Sequence, residues 1–142
     1  MKKKLTLCLA VLVCSAVEAE DVRQLAPLPA AAAESLRDQM RANLLTLNEI
    51  ISLTVSGKLA EAGVLAEQEL GNTAMGKNRK LPFEARPGPH MPPAMHAIAM
   101  DGHKAASAFA LIAATGDREK TLDSLPTLTT SCVSCHFAYR IR

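Results

Sequence analysis

The sequence has no tryptophan, one tyrosine and three phenylalanines among 142 residues. Aromatic side chains normally fill much of a core because each buries a large area. A domain without them needs either very regular Leu/Ala packing or a non-protein group in its middle. Basic runs are also missing outside Lys2–Lys4, so nothing here would track a phosphate backbone and nucleic acid is not an expected partner. No apolar run is long enough to span a bilayer, so no stable membrane span is expected. The chain is too short for a TIM barrel or a two-domain dehydrogenase. With 49% hydrophobic and 21% charged residues it is too apolar for a disordered tail, and one small globular domain fits.

Residues 1–19 read as a secretory signal peptide. Three lysines precede the apolar run Leu5–Val13, and Val17 and Ala19 occupy the −3 and −1 positions of a cleavage site. A lipoprotein site at Cys14 would want a small residue where bulky Val13 stands. Cleavage after Ala19 leaves residues 20–142 as the mature domain, in a periplasmic location. It removes Lys2, Lys3, Lys4 and Glu18, turning 16 Lys+Arg against 14 Asp+Glu into 13 against 13. Cys8 and Cys14 leave with the signal, so an oxidising compartment would receive one close pair, Cys132 and Cys135.

Hydrophobic spacing predicts an all-α, antiparallel four-helix bundle. Leu36, Met40, Leu44, Leu47, Ile51 and Val55 form the first seam, stopped by Gly57. Leu59, Ala62, Ala66 and Leu70 form the second, ended by Gly71. The stretch Asn72–Pro93 carries five prolines and two glycines, so no long helix runs through it. Pro92–Pro93 suits the start of a third helix, which carries Met95, Ile98, Gly102, Ala105, Phe109 and Ile112 as far as Gly116. Asp117 can cap a fourth, with Leu122, Leu125, Thr129, Cys132, His136 and Tyr139 on one face. Pro126 within it should cost a hydrogen bond to Leu122 and kink or split the helix.

Cys132-Val133-Ser134-Cys135-His136 is C-x-x-C-H, the attachment signature of c-type haem. Two thiols with two residues between them can meet two vinyl groups on one porphyrin edge. The adjoining imidazole of His136 can then serve as proximal iron ligand. On the predicted seam Cys132 and His136 face the bundle interior, where haem c, one per chain and covalently attached, would supply the missing flat apolar bulk. Three other uses of the pair stand beside this one. A thioredoxin-like redox pair wants a βαβ context. A disulfide at this spacing is strained within a helix. Zinc would need two more ligands, which His90, His96 and His103 offer.

Cys132–Arg140, C-V-S-C-H-F-A-Y-R, resembles the C-terminal C-x-x-C-H-x-x-Y-R signature of the class II cytochromes c, the cytochrome c′ family. The likeness runs from about Glu34 to the end and includes Gly116-Asp117 before the last helix. It implies covalent haem in an up-down bundle, a periplasmic location and frequent homodimers. Leu36–Arg41 resembles the distal turn of members in which a first-helix methionine ligates iron, which makes Met40 the distal ligand of a low-spin electron carrier. Members with an apolar residue there leave the iron open to nitric oxide or CO. Arg140 corresponds to a residue near the proximal imidazole, where it can meet a propionate; a C-terminal arginine offsetting the helix dipole is the other explanation. The segment His90–His103 departs from the family pattern. Within it His96, Met100 and His103 share a helix face, open to haem ligation, to copper, or to ordinary docking. No Ser/His/Asp set, carboxylate pair or phosphate loop suggests an enzyme. One-electron transfer to redox partner proteins is the function expected.

Overall fold

The computed structural model describes residues 20–142; the expected signal peptide, residues 1–19, lies outside the described residues. Four helices, α1 (Ala30–Val55), α2 (Leu59–Glu69), α3 (Pro93–Ala114) and α4 (Arg118–Ala138), form an all-α bundle, as expected. Gly57 and Gly116 turn the chain between α1 and α2 and between α3 and α4. Both adopt positive φ, +77° and +74°, which glycine reaches without steric cost. Asp117 caps α4, its carboxylate accepting from Lys120 N at 3.1 Å. Pro126 does not split α4, which runs unbroken through it. The Thr130 hydroxyl donates to Pro126 O at 2.9 Å nearby.

α2 is 11 residues against 26 for α1, or ~16 Å against ~39 Å at 1.5 Å per residue. Where α2 stops, the proline-rich connector takes over as four short 3-10 turns, Asn72–Ala74, Lys77–Lys80, Phe83–Ala85 and Gly88–His90. The end of α2 is stitched to α3. His103 Nδ1 donates to Leu70 O at 2.7 Å, and Ser107 Oγ donates to the Glu67 carboxylate at 2.5 Å. The His103 bond satisfies a carbonyl that a helix C-terminus otherwise leaves open.

Small residues let the helices approach. A Cβ on Gly63 of α2 would meet Ala110 O at 3.0 Å and Ala113 Cβ at 3.1 Å on α3. On α1 the buried and half-buried row is Ala33, Leu36, Met40, Asn43, Leu47, Ile50 and Thr54, alternating steps of three and four. The expected seam is therefore corrected: Leu44, Ile51 and Val55 are exposed, while Thr54 is fully buried. Burial of Thr54 is tolerated because its hydroxyl donates to Ile50 O at 2.8 Å. A similar one-residue rotation puts Ala106 and Ala113 rather than Ala105 and Ile112 in the core of α3.

Two residues near each end of the described residues add an element with no sequence signal. β1 (Gln24–Leu25) pairs in parallel with β2 (Tyr139–Arg140), and Ala26 N donates to Arg140 O at 2.8 Å. Tyr139 thus leaves the helical row assigned to it and belongs to this strap. No helix among the described residues is long and apolar enough to cross a membrane.

Candidate haem site

On α4 the buried side passes through Thr121, Leu128 and the half-buried Cys135, each seven residues on from the last. The C-x-x-C-H segment is consequently turned by one position from the expected orientation. Cys135, not Cys132 or His136, takes the inward place, and Cys132 and His136 are exposed. The cause is Thr121, which replaces Leu122 at the core position because its hydroxyl is satisfied by Asp117 O at 2.6 Å. Both thiols are free, with no disulfide between them. Burial and the neighbouring Cys132 push the Cys135 thiol above its ordinary pKa, so it stays protonated at neutral pH.

Cys135 belongs to an apolar cluster made by Ala26, Leu36 and Met95, with Met40, Met91 and Tyr139 packed against it. The fold therefore brings Met40 of α1, ten residues into its helix, to the same cluster as the second cysteine of the motif. Sequence spacing missed Met95, the most buried methionine of the cluster at 4% exposure, as a site residue. The only available signal was its place in the core row of α3. Beside the strap, Leu25, Leu28, Ala33, Arg37 and Arg142 line an open cleft of about 570 Å³.

Arg140 follows the motif on β2. Its Nε is buried without a hydrogen-bond partner and lies 3.6 Å from Asp21 Oδ2. Asp21 is already engaged by Arg23, whose Nε and Nη2 donate to it at 2.9 and 2.8 Å. That hydrogen bonding, with Arg140 nearby, holds the Asp21 carboxyl down to about 2. Arg140 thus keeps an unsatisfied donor at the motif's end of the bundle.

Two of the other histidines, His90 and His103, are bonded to backbone carbonyls. His90 Nε2 donates to Phe83 O at 3.2 Å and its ring meets Phe83 edge-on at 5.0 Å. His103 holds the α2 terminus. Among the described residues no three His, Cys, Asp or Glu side chains converge on a point where a metal could sit.

These residues fit a covalently held haem. Two free thiols three positions apart, an adjoining exposed imidazole, an apolar cluster with three methionines on Cys135 and a buried guanidinium nitrogen without a hydrogen bond are groups such a haem would use. Val133 and Phe137, at 64% and 85% exposure, add apolar surface beside the motif. Searches among known protein families, curated proteins and solved structures find nothing that matches the chain.

Proposed function

We propose that the protein is a periplasmic monohaem c-type cytochrome of the cytochrome c′ type, working as a one-electron carrier rather than as an enzyme. The observation that carries this reading is the C-x-x-C-H motif on the last turns of α4, with both thiols free and Cys135 packed in a methionine-lined cluster. When bound, the haem supplies an iron that cycles between the ferric and ferrous states. Cys132 and Cys135 hold it through thioether bonds, and His136 is the proximal ligand. Met40 is the distal ligand, its thioether favouring ferrous iron and raising the potential. Arg140 offers its unsatisfied Nε to a propionate. The partners are redox proteins, and a homodimer of the kind the family forms would cover the exposed Leu44, Ile51 and Val55 of α1.

A second reading has an observation of its own. Leu36, 4% exposed, sits in the same cluster as Met40. With Leu36 over the iron, the protein would be five-coordinate and would bind nitric oxide or CO. Of the three histidines a zinc site could use, His90 and His103 are bonded to backbone carbonyls.

The test is the pyridine haemochrome of protein matured in the periplasm, followed by ferric and ferrous spectra with and without CO. Thioether-linked haem with low-spin bands unmoved by CO is the expected outcome. A high-spin ferric form that takes up CO once reduced would transfer the conclusion to gas binding. Absence of covalent haem would sink both readings.

A further inference from the structure

The charges of the mature domain are balanced only in total. Residues 20–71 carry eight acidic against four basic side chains, and residues 93–142 carry four against five. The connector, residues 72–92, holds Lys77, Arg79, Lys80 and Arg86 against the single Glu84. It is the strongly basic segment of residues 20–142, which are neutral as a whole. Lys77 is paired with Glu69 at 2.5 Å, whereas Arg79, Lys80 and Arg86 enter no ion pair among the described residues.

The backbone that carries these cations is held in place, and Lys77 and Arg86 are tied to carbonyls, while Arg79 and Lys80 stand exposed with no side-chain hydrogen bond among the described residues. Prolines fix φ along the connector, and each 3-10 turn closes through its own backbone bond. Lys77 Nζ donates to Glu69 O at 3.1 Å, and Arg86 Nε donates to Leu81 O at 2.8 Å. They are also held in a telling place. Asn78 Nδ2 donates to Gln39 Oε1 at 3.4 Å, next to Met40, and Met91 from the connector's end joins the cluster of Cys135. Because α2 is short, the connector takes its place beside α1, where the turn Phe83–Ala85 packs against that helix.

We propose that this connector is a basic docking lip at the haem end, shaped for a redox partner that presents an acidic face there. The proposal rests on the cytochrome reading and adds the kind of partner and the place where it lands. Surface fields are screened within about 8 Å at physiological salt, so charges guide a partner only if they border its landing site. Cations clustered beside the electron's exit raise the encounter rate with an anionic surface and orient it. The same charges scattered over a neutral surface would not.

The experiment uses holoprotein whose covalent haem has been verified by pyridine haemochrome. Oxidation of the ferrous protein, one electron passing from its iron to the reagent, is followed by stopped flow. Hexacyanoferrate(III) serves as the anionic oxidant and tris(phenanthroline)cobalt(III) as the cationic one, each at low and high ionic strength. The double variant Arg79→Glu with Lys80→Glu should slow the anionic reaction by about three- to tenfold at low salt and speed the cationic one. Both effects should fade at high salt. Lys58→Glu with Arg118→Glu makes the same charge change at the opposite end and should alter either rate by less than about twofold.

Equal effects from the two double variants would overturn the lip while leaving the cytochrome reading intact. So would binding to phosphatidylglycerol vesicles that Arg79→Glu with Lys80→Glu abolishes, since the lip would then serve a membrane surface. A protein without covalent haem would overturn both the lip and the reading beneath it.

Discussion

Where Gly57 and Gly116 turn the chain, the core is Ile50, Ala62, Ala66, Ala106, Phe109, Ala113 and Leu128. Where β1 and β2 meet, it is Ala26, Leu36 and Met95, with Met40, Met91, Cys135 and Tyr139 against them. One end is alanine and branched aliphatic packing around a single phenylalanine, with helices close enough that glycine is needed at 63. The other is thioethers, a thiol and an arginine nitrogen without a hydrogen bond, closed by a two-residue strap and a proline-stiffened connector. Close-packed alanine specifies one geometry. Methionine adapts to what it contacts. On the proposed reading, the contrast separates a part that holds the fold from a part that receives the haem.

The largest expected effect is at the first end. Phe109 is 1% exposed, and Phe109→Ala should cost about 3–5 kcal/mol in chemical denaturation. Gly63→Leu at the α2–α3 contact should cost about 1–3 kcal/mol, because the neighbouring atoms include the Ala110 backbone oxygen, which cannot step aside. Met95→Leu is equally buried but at the other end, and should cost less than about 1.5 kcal/mol. If Met95→Leu proved as damaging as Phe109→Ala, the division of labour between the two ends would be wrong.

Element positions were legible in the sequence because their punctuation is local. Gly57, Gly116, Asp117 and Pro93 each act within a turn of where they stand, and the boundaries fell there. Rotation of each helix about its axis was less legible. Spacing of aliphatic residues selects Val55 and Leu122, whereas the fold buries Thr54 and Thr121, whose hydroxyls bond carbonyls of their own helix four residues back. A threonine satisfied in that way presents only its methyl to the core, and hydrophobicity alone does not identify it. That one-residue difference is why Cys135, and not Cys132 or His136, takes the inward place. The strap was invisible for another reason: a two-residue pairing between chain ends has no periodicity. Met40 reached the site through its resemblance to a family turn, and the cluster around Cys135 then included it.

Met40→Leu sharpens the comparison differently. Leucine conserves volume, so stability should change by less than about 1.5 kcal/mol. On the proposed reading the ferric spectrum should nevertheless pass from low to high spin, and the ferrous protein should begin to bind CO. An unchanged low-spin spectrum would remove Met40 from the iron and direct attention to Met91 and Met95 in the same cluster.

The smallest effect concerns the strap, and acid should find it. Asp21 gathers Arg23 and Arg140 beside the β1–β2 pairing, and its carboxyl is held at about 2 against the usual 3.8. A group with a lowered folded pKa binds fewer protons folded than unfolded, so its contribution is complete above the ordinary value. That contribution is lost as pH falls from about 4 towards about 2. Glu67, lowered by the Ser107 hydroxyl and the Thr73 amide, weakens the α2–α3 stitch over a window that begins near its usual 4.5. Amide exchange at Ala26, whose N–H donates to Arg140 O, should therefore accelerate between about pH 4 and 2 beyond the intrinsic pH trend. Exchange at Ile50 in the far core should follow the intrinsic trend alone. Asp21→Asn should leave Ala26 exchanging at the faster relative rate throughout, with no acid step. If Ala26 and Ile50 kept the same relative protection down to pH 2, the strap would be held by its backbone pairing, and the Asp21 cluster would be only a neighbour to it.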